Sequence, residues 1–572
     1  MQPTIKIKID QVGYLQSAPK TAMVAARMSA GEFFVRRISD DFIEFKGKLG
    51  APTADADSGD RVQIADFTRL EKSGEYYLDV PKVGRSWKFS IGKDVYARAF
   101  YLAMRSFYGQ RCGIAVDLSP DFPQYKSEAC HLKGAFHSSS GKTGKHVSAK
   151  GWHDAGDYGR YVVNSGISTG TLLWTYEIFG EKIGKINLKI PESGNGTPDI
   201  LNEIRWNLDW MLAMQDADGG VFQKQTSENF SDFVMPEKDN SISYVIGTGE
   251  EPFKSSCATA DFAAVTAIAA RIYKPFDKNY TEKNLTAAQN AWRWLKKNPN
   301  VLYKNPKGIL TGEYGDKNCG DERLWASAEL WRTTGDEDYR RYFLENYRQY
   351  KTAINSQNPP SWATVAPFAL WSYALGQKNE DAAAKAIKND TVKAADEIVE
   401  RTKRNGYQMS LTKDDYVWGS NAVAANYGMQ LLVTNELKND ARYRRAAVEN
   451  LHYLLGRNAF SLSFVTQLGE NAFRNPHHRP SAADKNIEPY PGLLSGGPNR
   501  ARQDPAMKKL PVNLPPAKMY LDEQDSYASN ETAINWNAPL VFLLAGVQSK
   551  NKDIDRFLQI LSSQAGVQKV SV

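Results

Sequence analysis

The run GEYYLDVPKVGRSWKFSIGKDVYARAF, residues 74–100, contains the change of texture that decides the fold. Its head, Gly74-Glu75-Tyr76-Tyr77-Leu78-Asp79-Val80, sets aromatic and aliphatic side chains between Gly and Pro, as a strand does. Toward the start of the chain, Ile5 to Ile9, Thr21 to Ala25 and Phe33 to Arg37 are short alternating runs of the same kind, separated by Gly, Pro and Asp turns. They predict a small antiparallel β-sandwich over residues 1–93. From Asp94 onward the pattern becomes helical, rich in Ala, Leu and Trp, and stays so to residue 572. Helices are predicted over Tyr161 to Tyr176, Thr197 to Gln215, Ala258 to Tyr273, Ala287 to Lys297, Glu322 to Thr334, Val392 to Arg401 and Tyr443 to Leu455. So many helices joined by long loops imply a closed helical toroid, and a chain that is mainly α. Chemistry is expected on the loops, which a rigid scaffold leaves free for it.

At 572 residues the chain exceeds one ordinary core, in keeping with a small and a large domain. The net charge of +7 is spread by interleaving Lys and Arg with Asp and Glu, without a basic block, so nucleic acid is not an expected partner. No apolar run approaches the roughly 18 residues that cross a bilayer, and a soluble monomer is expected. The opening MQPTIKIKIDQVGY has no apolar leader, which implies cytoplasm, or secretion or periplasmic export with the leader removed. Thirteen Trp are more than packing usually needs. Most are expected in the core, the rest as platforms for sugar rings. Four Cys in so long a chain do not read as a disulfide framework.

Three segments carry candidate chemistry. In Gly151-Trp152-His153-Asp154-Ala155-Gly156-Asp157-Tyr158-Gly159-Arg160-Tyr161, two carboxylates three residues apart can crowd into one pocket and compete for one proton or one water. An Asp-Gly turn capping the next helix explains the same residues. In Ser526-Tyr527-Ala528-Ser529-Asn530-Glu531-Thr532-Ala533-Ile534-Asn535-Trp536, an acid sits among Tyr and Trp, a setting that keeps a carboxyl protonated near neutral pH. The alternative is that it only starts the last helix. In Asn475-Pro476-His477-His478-Arg479-Pro480, two rings and a guanidinium fork lie on a proline-stiffened loop, suited to gripping hydroxyl groups.

In their order these segments resemble the glycoside hydrolase family 9 cellulases with an N-terminal immunoglobulin-like module. The resemblance runs from Asp10-Gln11-Val12-Gly13-Tyr14 to Asn537-Ala538-Pro539-Leu540, through Pro191-Glu192-Ser193-Gly194-Asn195-Gly196, Tyr416-Val417-Trp418-Gly419 and Gly496-Gly497-Pro498-Asn499. It implies an (α/α)6-barrel catalytic domain at 94–572 behind an immunoglobulin-like β-sandwich at 1–93. It further implies inversion at the anomeric carbon, with Asp157 as general base, Asp154 holding the same water and Glu531 as general acid. Such chemistry needs roughly 6.5 to 9.5 Å between acid and base. His477 and Arg479 match sugar-binding positions, Trp418 and Trp536 match cleft-lining aromatics, and Tyr527 neighbours Glu531.

Cys112, Cys130, His131 and His153 offer two thiolates and two imidazoles, a set that suits a closed tetrahedral zinc site. Relatives with the immunoglobulin-like module carry structural zinc at matching positions. Here it would anchor the loop of Asp154. His137 and His146 are competing ligands, and a reduced metal-free pair is the plain alternative. Asp321 and Glu322 match calcium ligands of the family, and Asp316 in the loop before them adds a hard oxygen. Lys317 and Asn318 replace a Ser-Gly pair of some members, and an acidic helix start without metal explains these residues as well.

The activity implied is inverting endo-β-1,4-glucan hydrolysis, with a β-glucan or cello-oligosaccharide as partner. An exo-acting β-glycosidase on the same frame is the second reading, and a silent glucan-binding protein the third. Retention of Asp154, Asp157 and Glu531 argues against the last.

Overall fold

The computed structural model describes residues 2–26, 31–377 and 380–548. The expected end of the second domain at 572 lies outside the described residues.

The first part of the chain forms two facing sheets. One orders its strands Ile7–Lys8, Thr21–Val24, Arg61–Asp66 and Thr53–Ala54; the other runs Gly13–Leu15, Phe89–Gly92, Gly74–Val80, Glu32–Arg37 and Ile43–Lys48. Pairing is antiparallel except where Phe89–Gly92 runs parallel to Gly13–Leu15. Inward residues Ile7, Tyr14, Val24, Phe33, Val35, Leu78 and Phe89 make a core of their own, as alternation in half-buried strands requires.

The second part is a ring of six inner helices: Val162–Ile183, Ser256–Ile272, Gly320–Thr334, Ala366–Gly376, Ser420–Lys438 and Ile534–Val547. Each packs on the next, and the last closes on the first. An outer helix precedes every inner one: Ala97–Gly109, Asp199–Ala213, Lys278–Lys297, Glu337–Asn346, Ala382–Arg404 and Ala441–Leu454. Periodicity separates the two layers. Ile534–Val547 is buried on nearly every side, whereas Lys278–Lys297 buries Tyr280, Asn284, Ala287, Ala288, Ala291, Trp292, Trp294 and Leu295, one side of the helix. This is the (α/α)6 barrel that the resemblance implied.

The expected helices all form, several with earlier starts. Lys278–Lys297 begins nine residues before Ala287 because its first turns are polar; Asp277 caps it by accepting from Tyr280 N–H. One cysteine expectation is corrected. Cys257 and Cys319 are disulfide-bonded, since the starts of two adjacent inner helices bring residues 62 apart in sequence to a Cα separation of 4.7 Å. Cys112 and Cys130 are free thiols.

The two parts join through buried polar contacts. Asp10 accepts from the Tyr96 hydroxyl at 3.0 Å and pairs with His452 at 2.8 Å, and Gln11 Nε2 donates to Ser461 O at 3.0 Å.

Candidate active site

The loop Gly151–Gly159 lies at one end of the ring and does not cap the helix after it. Asp157 Oδ2 accepts from Gly159 N–H at 3.1 Å and from the Tyr161 hydroxyl at 3.0 Å; the helix start at Tyr161 has no side-chain cap. Asp154 is gripped on both oxygens, by Asn164 Nδ2 at 2.6 Å and the Tyr314 hydroxyl at 2.6 Å. Its carbonyl accepts from Ile534 N–H at 2.9 Å, tying this loop to the start of the last inner helix.

Glu531 does not start that helix either. It stands in extended backbone three residues earlier, bridged to His477, with its carbonyl accepting from Gly496 N–H at 2.8 Å. The histidine loop meets the aspartate loop at Gly156. A Cβ there would lie 1.9 Å from His477 O, so no side chain is tolerated. Arg479 clamps the same junction: its Nη1 donates to Gly156 O at 2.8 Å, its Nε to Ser231 O at 2.8 Å, and its guanidinium lies 5.2 Å from the Phe233 ring centre. His477 Nδ1 donates to Gln524 O at 2.8 Å, which leaves Nε2 as an acceptor in the neutral ring that burial favours.

His478 departs from the expectation of a third gripping group. It is fully turned inward, capping the short helix Arg479–Ala483 through Ser481 and meeting Gln110 Oε1 at 3.0 Å.

All eight expected catalytic and sugar-site residues, Asp154, Asp157, Trp418, His477, Arg479, Tyr527, Glu531 and Trp536, line one cavity of about 760 Å³. Trp418 and Tyr527 rings stand 5.6 Å apart, and Trp418 keeps 40% of its surface exposed. The same walls include Tyr161, Phe230, Gly312, Glu313, Tyr314, Trp362 and Asn535, which sequence reasoning missed. Tyr161 closes the aspartate motif and was within reach. Tyr314 and Trp362 arrive from loops more than 150 residues from Asp154, without a local signal.

Burial dominates the electrostatics. Asp154 (1% exposed) and Glu531 are both pushed up to about 8, by burial first and then by the negative charge of Asp157. Tyr314 and Asn164 oppose the shift at Asp154, and Arg479 opposes it at Glu531. Asp154 and Glu531 thus both favour the protonated form at neutral pH.

Behind the loop, ligand atoms of Cys112, Cys130, His131 and His153 all lie within 4.8 Å of one another. His131 Nδ1 is buried and unpartnered, while its Nε2 is held by Asp239 at 3.2 Å. An orphaned ring nitrogen beside two thiols and a second imidazole fits zinc. His137 and His146 are engaged elsewhere, with Ser139 and with the Val147 and Ala213 carbonyls.

The three expected calcium residues are not gathered in this way: among the described residues, the Cys/His group alone brings three or more such ligand atoms so close. Asp321 Oδ2 is taken by the Val365 and Ala366 N–H groups at 2.9 and 3.2 Å. Glu322 is fully buried with both oxygens unpartnered, and so is Asp261, an acid from the neighbouring inner helix that the sequence did not suggest. Burial, then neighbouring carboxylates, push both well above the ordinary range.

A cleft walled by aromatics in which two carboxyls hold protons beside a third that accepts two hydrogen bonds has the makings of a glycoside hydrolase site. Comparison with known proteins narrows this. The glycosyl hydrolase family 9 model matches residues 96–544, and the cellulase N-terminal ig-like domain model matches residues 2–85. Endoglucanase D of Acetivibrio thermocellus is 38% identical over 551 residues, 96% of this chain and 84% of that one. The xyloglucan-specific endo-beta-1,4-glucanase BoGH9A of Bacteroides ovatus is 34% identical over 583 residues, covering 96% and 94%. The solved family 9 endoglucanase J30 superposes with a TM-score of 0.87 at 31% identity, covering 94% of this chain and all of that one. The chain belongs to glycosyl hydrolase family 9 and is a glycoside hydrolase of the cellulase type.

Proposed function

We propose that the chain cleaves internal β-1,4 bonds of a cellulose-like glucan in one displacement, with Asp157 as base and Glu531 as acid. The observation that carries this reading is a single cleft in which Glu531 holds its proton up to about 8 while Asp157 is offered the donors of Gly159 and Tyr161. Water attacks the anomeric carbon and gives its proton to Asp157, with Asp154 holding the same water. Glu531 gives its proton to the departing glycosidic oxygen. His477 Nε2 and Arg479 hold sugar hydroxyls, and Trp418, Tyr527 and Trp536 supply ring faces.

Cys112, Cys130, His131 and His153 would hold zinc, which supplies a rigid cross-link beneath Asp154 and no catalytic step. A solved relative is described as a Zn-binding triple mutant of endoglucanase J30. Calcium is the hard cation that Asp321, Glu322 and Asp316 suit, and Asp261 supplies the further acid that the sequence lacked. The Cys257–Cys319 bridge supports export to an oxidising compartment. Among the described residues no helix is long and apolar enough to cross a membrane. The sandwich, bounded near residue 93, stabilises the barrel through Asp10 and Gln11 rather than binding polysaccharide.

Proton NMR during cellohexaose hydrolysis should show the α-anomer first, and carboxymethyl-cellulose should lose viscosity early. Slow viscosity loss with only short products would sink the endo reading on this substrate.

A further inference from the structure

Behind the catalytic loop, the strand Lys224–Thr226 carries a fully buried lysine that the proposed chemistry does not use. Lys224 lies opposite Tyr161 in the antiparallel register, and Tyr161 is the residue that donates to Asp157. Nζ stands 5.6 Å from the Tyr161 ring centre and 5.7 Å from that of Tyr303. Its four acceptors are Asn305 Oδ1 at 2.8 Å, Gly312 O at 2.8 Å, Thr311 Oγ1 at 3.1 Å and Thr311 O at 3.2 Å. None carries a charge.

A buried ammonium held only by neutral oxygens is costly, and its ordinary compensation is a carboxylate in contact. Here the compensating charges stand farther off: Asp157 faces it from the catalytic loop and Glu313 from the segment it grips. Burial pulls the ammonium down to about 7 against the attraction of these two groups. The gripped segment also matters. Thr311 and Gly312 lead through Glu313 into Tyr314, whose hydroxyl donates to Asp154, and Gln223, next to Lys224, donates to Tyr314 O at 3.1 Å. One strand pair therefore presents Tyr161 to Asp157 directly and holds, through Lys224, the segment that presents Tyr314 to Asp154.

We propose that Lys224 is a positioning residue of the hydrolytic site, a buried cation that holds the 311–314 segment against the catalytic aspartates and balances the negative charge of Asp157. It acts through Tyr161, through Tyr314 and through space, without touching substrate, and the proposal rests on Asp157 being the base. Loss of the cation makes negative charge on Asp157 harder to hold, so the acid limb of the pH–rate profile moves to higher pH.

Two variants test this. Lys224→Met keeps the stem and removes the charge. Asn305→Asp keeps the ammonium and sets a carboxylate where Asn305 Oδ1 now accepts, cancelling the field at Asp157 while giving the lysine a partner. Both should raise the acid limb of kcat/KM on a cello-oligosaccharide by at least about 0.5 pH unit, with KM within about twofold. Lys224→Met should also lower kcat about tenfold. Where Lys224→Met fails to fold, Asn305→Asp decides. An acid limb of Asn305→Asp within about 0.1 unit of wild type overturns the proposal, because a purely structural lysine lowers Tm and leaves the limb in place. Asp157→Asn in the same assay separates the two readings. Near-normal turnover there overturns the base assignment and this proposal together; lost turnover there with an unmoved Asn305→Asp limb overturns this proposal alone.

Discussion

The barrel contains two crowded carboxyl clusters, and they differ in what surrounds them. At the cleft, Asp154 receives Tyr314 and Asn164, and Asp157 receives Gly159 and Tyr161. Between the inner helices Ser256–Ile272 and Gly320–Thr334, Asp261 and Glu322 have no donor and no opening to the cleft. Burial and like charge raise carboxyls in both places. A raised carboxyl is therefore no mark of catalysis. The mark is a raised carboxyl facing one that is supplied with donors, across a cavity that admits substrate. The inner cluster has instead the makings of a cation site, since charges left bare in a core must keep protons or find a metal.

The largest expected effect lies in substituting across this divide. Asp157→Asn and Glu531→Gln should each lower kcat by at least about 10²-fold with the fold intact, whereas Asp261→Asn should leave turnover per folded molecule within about threefold. Steady-state rates on cellohexaose, with circular dichroism as a fold check, decide it. An equal collapse in Asp261→Asn would break the comparison.

Next comes pH. Glu531 is raised, so its proton is present below about 8 and lost as pH climbs through that value; kcat should fall on the alkaline side there. Asp154 is raised to about the same value, so both carboxyls contribute to the step. A profile flat to about pH 10 would contradict it.

The third prediction concerns the thiol node, where a carboxylate orients a histidine instead of crowding its neighbours. Asp239→Asn should weaken zinc binding about 10- to 100-fold in chelator competition, because Asp239 fixes His131 with Nδ1 free. Unchanged affinity would remove Asp239 from the site.

The smallest effect is calcium. A hundredfold excess over Kd should add about 2.7 kcal/mol of stability, read as a rise in Tm. Asp261→Asn should shrink that rise, and a wild-type protein indifferent to calcium would leave the inner cluster as protonated acids.

Much of this was legible in the chain, for identifiable reasons. The strand-to-helix change after Asp94 was visible because alternation and helical period differ over short windows. Asp154, Asp157, Glu531, His477 and Arg479 sit in compact motifs, and the cavity gathers them. Tyr314, Trp362, Asp261 and the Cys257–Cys319 bridge were not legible, since each acquires its meaning from a neighbour brought by ring closure. His478 was misread beside His477 because adjacent residues on a tight loop point to opposite sides, one into the cleft and one onto Gln110. Helix starts were missed where a polar first turn, as at Lys278, hides the stripe.

The central claim, that Glu531 protonates the leaving oxygen and Asp157 activates water, is tested most directly with two substrates. On dinitrophenyl cellobioside, whose leaving group needs no proton, Glu531→Gln should recover at least about tenfold of what it loses on cellohexaose, and Asp157→Asn should recover nothing. Equal losses on both substrates for Glu531→Gln, or recovery by Asp157→Asn, would contradict the assignment.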